Sequence, residues 1–300
     1  MDTLGVDRSL AALAGVIALG AAACGSVSSK ADAASDTPGG PDAALTWSPF
    51  EAVAVNYAAD ARTPVVSGDG LTLYFLAQLS SPSFDFDIYS ASRAKTSDGF
   101  GVATAVLNVN VAGQQARYPD ISDDGLELYF SGGDGGPIMV ATRSNVSSAF
   151  TAPTAVRSDV MGNFASISGN KLSLYYLAHN AAGGNVDGLV MQTTRAAVGQ
   201  PWSAPAMVSV SGAIQMYSSI DISSDELSLL RAPTLAPPSH NILISRRTSK
   251  TAPFDQTEVL QTLDTSTSAF ASARWSAHET EIWVGQPNGT LEKPYVSHLR

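Results

Sequence analysis

Few residues of this chain are placed to do chemistry, and most of them are dispersed. The four histidines (His179, His240, His278 and His298) form neither a His-Glu-x-x-His pair nor a set with paired-cysteine spacing, so no metal site and no cofactor motif is expected. No Gly-x-Ser-x-Gly elbow is present, and the GGDGGP stretch at Gly132 holds no serine at a nucleophile position. Carboxylates remain. Asp120 and Asp221 each stand two residues before a serine in a shared local pattern, a place also held by Val65, Ser166 and Arg274. Two such carboxylates facing one another could serve as acid and base in cleaving a glycosidic bond. Arg62 and Arg117, each five residues before its serine, are expected to neutralise them.

What positions these residues is a repeat. VVSGDGLTLYF from Val65, DISDDGLELYF from Asp120, SISGNKLSLYY from Ser166, DISSDELSLLR from Asp221 and RWSAHETEIWV from Arg274 share one register, marked by Ser67, Ser122, Ser168, Ser223 and Ser276. Leu71 with Leu73, and the equivalents Leu126 with Leu128, Leu172 with Leu174 and Leu227 with Leu229, give the period-two alternation of a strand. Turn-forming residues such as Gly70 and Gly125 separate that strand from the serine. A further strand signal ends at Arg93, Arg143, Arg195, Arg247 and Arg300, and seven residues after the first four stand Phe100, Phe150, Trp202 and Phe254. Four strands per unit predict an all-β, five-bladed propeller of four-stranded antiparallel blades. The units lie near 60–107, 115–157, 162–209, 215–261 and 268–300. The last lacks its fourth strand, which Phe50–Val55 within 47–56 is expected to supply, closing the ring and removing both free edges. Recurrence once per blade assigns the arginines a structural task, such as bonding loop carbonyls or pairing with a neighbouring blade.

The units resemble TolB-type, WD-repeat-like propeller repeats, marked by a serine, an Asp-Gly turn, a Leu-x-Tyr-Phe strand and an Ile-Tyr strand. The resemblance covers Trp47–Arg300 and is strongest in the first two units, the later ones losing the glycine. TolB pairs its propeller with another domain, and none is expected here beside 46–300.

Loop lengths separate two faces. The serine turns scarcely vary, whereas the serine-to-arginine distances run 26, 21, 27, 24 and 24. Variable loops mark a binding face, which points to Phe84, Phe86, Asp134, His179 and His240 as contact residues, with Arg62, Arg117, Asp120, Asp221 and Arg274 lining the channel.

The run Leu10–Ala23 has the length of a signal-peptide core and is too short to span a bilayer. It ends at Cys24, the single cysteine, behind three alanines. This resembles a bacterial lipobox, with Ala21 where leucine is usual and a weakly charged start. The resemblance implies a signal peptide over 1–23, acylation of Cys24 as the membrane anchor, a flexible tether over 24–45 and, from Gly25 and Ser26, the outer membrane. The formal net charge of −10 and the absence of a basic stripe exclude nucleic acid as a partner. These features together lead to a monomeric, non-catalytic envelope lipoprotein binding a protein, peptide or glycan. The alternative is a secreted carbohydrate-active hydrolase or lyase using Asp120 and Asp221.

Overall fold

Each register serine ends an inner strand and builds the turn that follows. The hydroxyls of Ser67, Ser122, Ser168 and Ser223 donate to Asp69, Asp124, Asn170 and Asp225 two residues on, at 2.6–2.9 Å. The same hydroxyls accept the amides of Thr72, Glu127, Ser173 and Ser228 at 2.8–3.0 Å. The fourth turn residue is left-handed every time: Gly70 (φ 71°), Gly125 (69°), Lys171 (61°), Glu226 (66°) and Glu279 (55°). Only the first two are glycine, so each of the other three carries strain of order 1–3 kcal/mol.

The computed structural model describes residues 46–78, 86–111, 114–179, 189–211, 217–233, 241–262, 272–276, 278–288 and 291–300. In chain order come β1 (Glu51–Ala52) and β2 (Val55–Asn56), followed by β3 (Arg62–Val66), β4 (Thr72–Gln78), β5 (Phe86–Ser92), β6 (Phe100–Val102) and β7 (Thr104–Ala105). The second blade holds β8 (Arg117–Ile121), β9 (Glu127–Ser131), β10 (Ile138–Thr142) and β11 (Thr154–Ala155). The third holds β12 (Gly162–Ile167), β13 (Ser173–Ala178), β14 (Val190–Thr194) and β15 (Ala206–Met207). The fourth holds β16 (Tyr217–Ile222), β17 (Ser228–Pro233), β18 (Asn241–Arg246) and β19 (Gln256–Thr262). The last begins with β20 (Ser272–Trp275), β21 (Glu281–Asn288) and β22 (Leu291–His298).

Five four-stranded antiparallel sheets result: β3-β4-β5-β7, β8 to β11 in order, β12 to β15, β16 to β19, and β20-β21-β22-β1. The fold is the five-bladed propeller expected, with no helix among the described residues. Ring closure is as expected in kind but divided in detail. Glu51 pairs with Val296, Trp47 bridges to Leu299, and Val55–Asn56 crosses to the first blade to pair in parallel with Phe100–Val102. The amino-terminal segment therefore ties two blades together rather than forming one continuous strand.

Apolar burial sits between blades. Val65 and Tyr74 of the first blade meet Ile121, Leu128 and Phe130 of the second, and four comparable layers complete the circle. The recurring arginines clamp the turn side of these layers. Arg93, Arg143, Arg195 and Arg247 donate from Nε to the carbonyls of Gly70, Gly125, Lys171 and Glu226 at 2.6–2.8 Å. Their guanidinium carbons stand 4.4–4.6 Å over Phe100, Phe150, Trp202 and Phe254. The spacing of seven is the distance at which the next strand returns its aromatic ring beneath the cation.

Candidate functional site

The inner strands β3, β8, β12, β16 and β20 line the axis, and the residue two before each serine faces the next blade. Asp120 Oδ2 accepts the Ile167 amide at 2.8 Å, Ser166 Oγ accepts the Ile222 amide at 2.9 Å, and Asp221 Oδ2 accepts the Trp275 amide at 2.7 Å. Ser166 Oγ also donates to Asp221 Oδ1 at 2.7 Å. One repeated position thus staples three successive blade seams. Val65 and Arg274, in the same place, have no acceptor to offer and break the series.

Arg274 does something else. Wholly buried, it crosses the axis, and its Nη1 donates to the carbonyls of Ala165 and Ile220 at 3.1 Å each and to Asp221 Oδ1 at 2.9 Å. Asp120 Oδ1 lies 3.9 Å from the same atom. Nε and Nη2 of Arg274 have no hydrogen-bond partner among the described residues. Burial pushes the Asp120 carboxyl up to about 7, with Arg274 opposing the rise and Asp221 adding to it.

Beside these groups lies a cavity of about 30 Å³, lined by Asp120, Asp123, Asp221, Ser224, Ser276 and Glu279 among others. That is room for one or two waters and not for a sugar ring. Its turn-side end is plugged by the residues that follow the serines: a Cβ on Gly68 would lie 2.1 Å from the Asp123 carbonyl oxygen, and one on Gly169 2.8 Å from Ser224 Cβ. Ser224 donates from its amide to Glu279 Oε1 at 2.8 Å and from its hydroxyl to Asp123 Oδ2 at 3.3 Å. Burial raises the carboxyls of both Asp123 and Glu279. Among the described residues no three histidine, cysteine or carboxylate groups are placed to hold a metal ion.

The opposite end is built differently. Four residues before their serines, Thr63, Tyr118 and Phe164 are left-handed, with φ of 46°, 56° and 53°, each at a register shift in its inner strand. A β-branched or aromatic residue adopts this conformation at a cost, and such strain concentrates at functional positions. Tyr118 stacks on Phe164 with ring centroids 4.1 Å apart. Next to them, the Arg117 and Arg62 guanidinium carbons stand 4.2 and 5.9 Å from the Phe86 ring centre.

The sequence-predicted residues fall as follows. Phe86, Arg62 and Arg117 come together at this loop-side mouth. Asp134 is exposed, accepts from Asn163 Nδ2 at 2.8 Å, and has His179 close by, its ring filling the space a Cβ on Gly135 would need. The structure corrects two expectations. Phe86 is only 7% exposed, so it seats the two arginines and is not itself a contact surface. Arg62 and Arg117 do not neutralise the axial carboxylates. The left-handed bulges separate them from the axis, so Arg62 bonds Asp60 at 2.7 Å and Arg117 bonds Gln115 Oε1 at 2.7 Å, and among the described residues Arg274 is the cation that pairs with the axial carboxylates. Phe84, His240 and Cys24 lie outside the described residues. Sequence reasoning missed Tyr118, Phe164, Asp123 and Glu279, whose fixed offsets from the serines would have found them.

No protein-family model and no curated protein matches the sequence. Solved structures do match. The catalytic domain of the Coprinopsis cinerea GH62 α-L-arabinofuranosidase superposes with a TM-score of 0.55 at 9% identity, covering 85% of this chain and 97% of that one. The α-L-arabinofuranosidase PaAbf62A from Podospora anserina gives 0.54 at 10% identity, with coverage of 85% and 97%. TolB from Acinetobacter baumannii gives 0.50 at 11% identity, over 80% of this chain. The likeness is one of fold. This chain spans 54% of the TolB chain's length, so TolB's activity as a whole does not transfer with the likeness.

Proposed function

We propose that this chain is a non-catalytic cell-envelope protein, held to the outer membrane through an acylated Cys24, whose monomeric propeller is a binding platform for a protein, peptide or glycan. The loop-side mouth is the contact surface. The observation that carries the reading is the commitment of the axial carboxylates. Asp120 and Asp221 accept backbone amides of neighbouring blades and face a buried arginine, beside a cavity that admits only water. The mouth, by contrast, presents two arginines on an aromatic seat and an exposed acid, beside a largely buried, strained aromatic stack. Cationic groups stacked on a ring lose little freedom on meeting a partner and suit a binding hot spot. The test is capture from envelope fractions by the full chain and by an Arg62→Ala/Arg117→Ala double variant. Capture of a discrete partner should fall about tenfold or more in the variant, and equal capture would remove the mouth from consideration.

A further inference from the structure

Three blade seams are closed at their outer ends in one way. Arg143 Nη2 donates to the Tyr74 hydroxyl at 3.2 Å, and Arg247 Nη2 to the Tyr175 hydroxyl at 2.7 Å. Arg195 Nη2 donates to Glu127 Oε2 at 2.7 Å, the oxygen that also accepts from the Tyr129 hydroxyl at 2.5 Å. Each of these three arginines thus rivets its blade to the one before it. At the seam between the fifth and first blades, Phe100 packs edge-on against Trp283 with centroids 6.1 Å apart.

Among the described residues the seam between the fourth and fifth blades shows neither device. Leu230 stands where the first three blades carry tyrosine, and Arg300, exposed, exchanges backbone bonds with Thr46 at 2.7 and 3.1 Å. Near the axis this seam is still held, by the Trp275 amide on Asp221 and the Ser224 amide on Glu279. Leu230, Ile242 and Ile244 still pack against Ala273, Trp275 and Ile282 here, and outside that layer lies a cleft of about 490 Å³, within the roughly 300–1,000 Å³ of small-molecule sites.

The lining is amphiphilic. Trp47 and Trp275 form one wall, their ring centroids 5.7 Å apart, with Trp47 half-buried and open to the cleft. Trp275 is almost wholly buried, so it backs the wall and Trp47 supplies the open ring face. Across from this wall Arg246 and Glu258 form an ion pair, and Ser228 and Glu279 add further polar groups. The two acids against one arginine disfavour an anion. An organic cation could use the single Trp47 face, with Arg246 in the same lining as the like charge against it. A purely apolar ligand would strip water from Arg246, Glu258 and Glu279 and put nothing in its place.

We propose that this cleft binds a neutral saccharide, its C–H face on the Trp47 indole and its hydroxyls on the Arg246–Glu258 pair. The site is separate from the loop-side mouth, and neither depends on the other.

The experiment titrates the full chain with maltotriose, cellotriose, xylotriose and chitotriose, and with trigalacturonate and tetramethylammonium as charged probes, read by tryptophan fluorescence and ligand-observed NMR. At least one neutral trisaccharide should bind saturably at millimolar concentration or below. Trp47→Ala should weaken that binding about tenfold, the scale of one lost aromatic contact. Glu258→Gln, at an exposed rim position, should weaken it as well and serves as the deciding variant if Trp47→Ala does not fold. Arg117→Ala, at the mouth, should leave it unchanged. The proposal is overturned if no neutral trisaccharide binds, if only a charged probe does, if folded Trp47→Ala or Glu258→Gln binds as wild type, or if Arg117→Ala abolishes binding.

Discussion

Replacing Asp221 by asparagine should cost this protein a large part of its stability, and the structure says why. Asp221 accepts three hydrogen bonds, from Ser166 Oγ, Arg274 Nη1 and the Trp275 amide, at 2.7, 2.9 and 2.7 Å. Asparagine would place an amide donor against at least one of these donors. It would also leave the guanidinium of Arg274, wholly buried, with two carbonyls and an acid no nearer than 3.9 Å. Removing one partner of a buried pair costs about 3–5 kcal/mol. At about 2–4 °C per kcal/mol for a domain of this size, the melting temperature should fall by about 6–20 °C. Differential scanning calorimetry on the full chain measures this, with Asp159→Asn as control, because its pair with Arg157 is half-exposed and worth under about 1 kcal/mol. A change in Asp221→Asn as small as in the control would refute a structural role for the carboxylate. A folded Asp221→Asn that loses a measurable glycan-cleaving activity would instead favour the hydrolase.

Four further outcomes follow from the same structure. Asp120 has a folded-state pKa raised to about 7 from 3.8 by burial, so the folded state binds the extra proton and stability should decline as pH rises from about 4 to 7, then level off. Urea unfolding across that range should show this slope, and Asp120→Asn should flatten it; an unchanged slope would assign it to other groups. Arg195→Lys keeps the charge but loses the Nε bond to the Lys171 carbonyl and the plane stacked on Trp202, so it should destabilise by about 2 kcal/mol in denaturant titration. Gly68→Ala puts a methyl 2.1 Å from a backbone oxygen and should cost about 1–3 kcal/mol by the same assay. Cys24→Ser should move the protein from the membrane pellet to the soluble fraction, and unaltered pelleting would contradict acylation.

The blades were legible because their signals are local. A serine, in four blades an aspartate or asparagine two later, and a left-handed position after it define one turn, and the arginine-to-aromatic spacing defines another. Both survive in sequence because each is satisfied within about thirty residues of chain. The axis was less legible, because its partners come from different blades. Nothing near Arg274 in sequence shows that it crosses to Ala165 and Asp221, and nothing near Arg117 shows that Tyr118 takes a left-handed turn and carries the arginine off the axis. Phe86 was read as a contact residue from the variable length of its loop, and loop length carries no sign of the two arginines that cover it. The seam cleft was half visible, as leucine at 230 in a column of tyrosines.

The most direct measurement of the functional claim is site-specific photocrosslinking in intact envelopes, with the photoreactive residue at Asp134 on the loop side or at Val146, 57% exposed, on the turn side. A discrete adduct at Asp134, absent at Val146, is the result predicted for a binding platform that uses its loop-side mouth. An adduct at Val146 alone, or none at either position from a chain that releases sugars from polysaccharide, would contradict it.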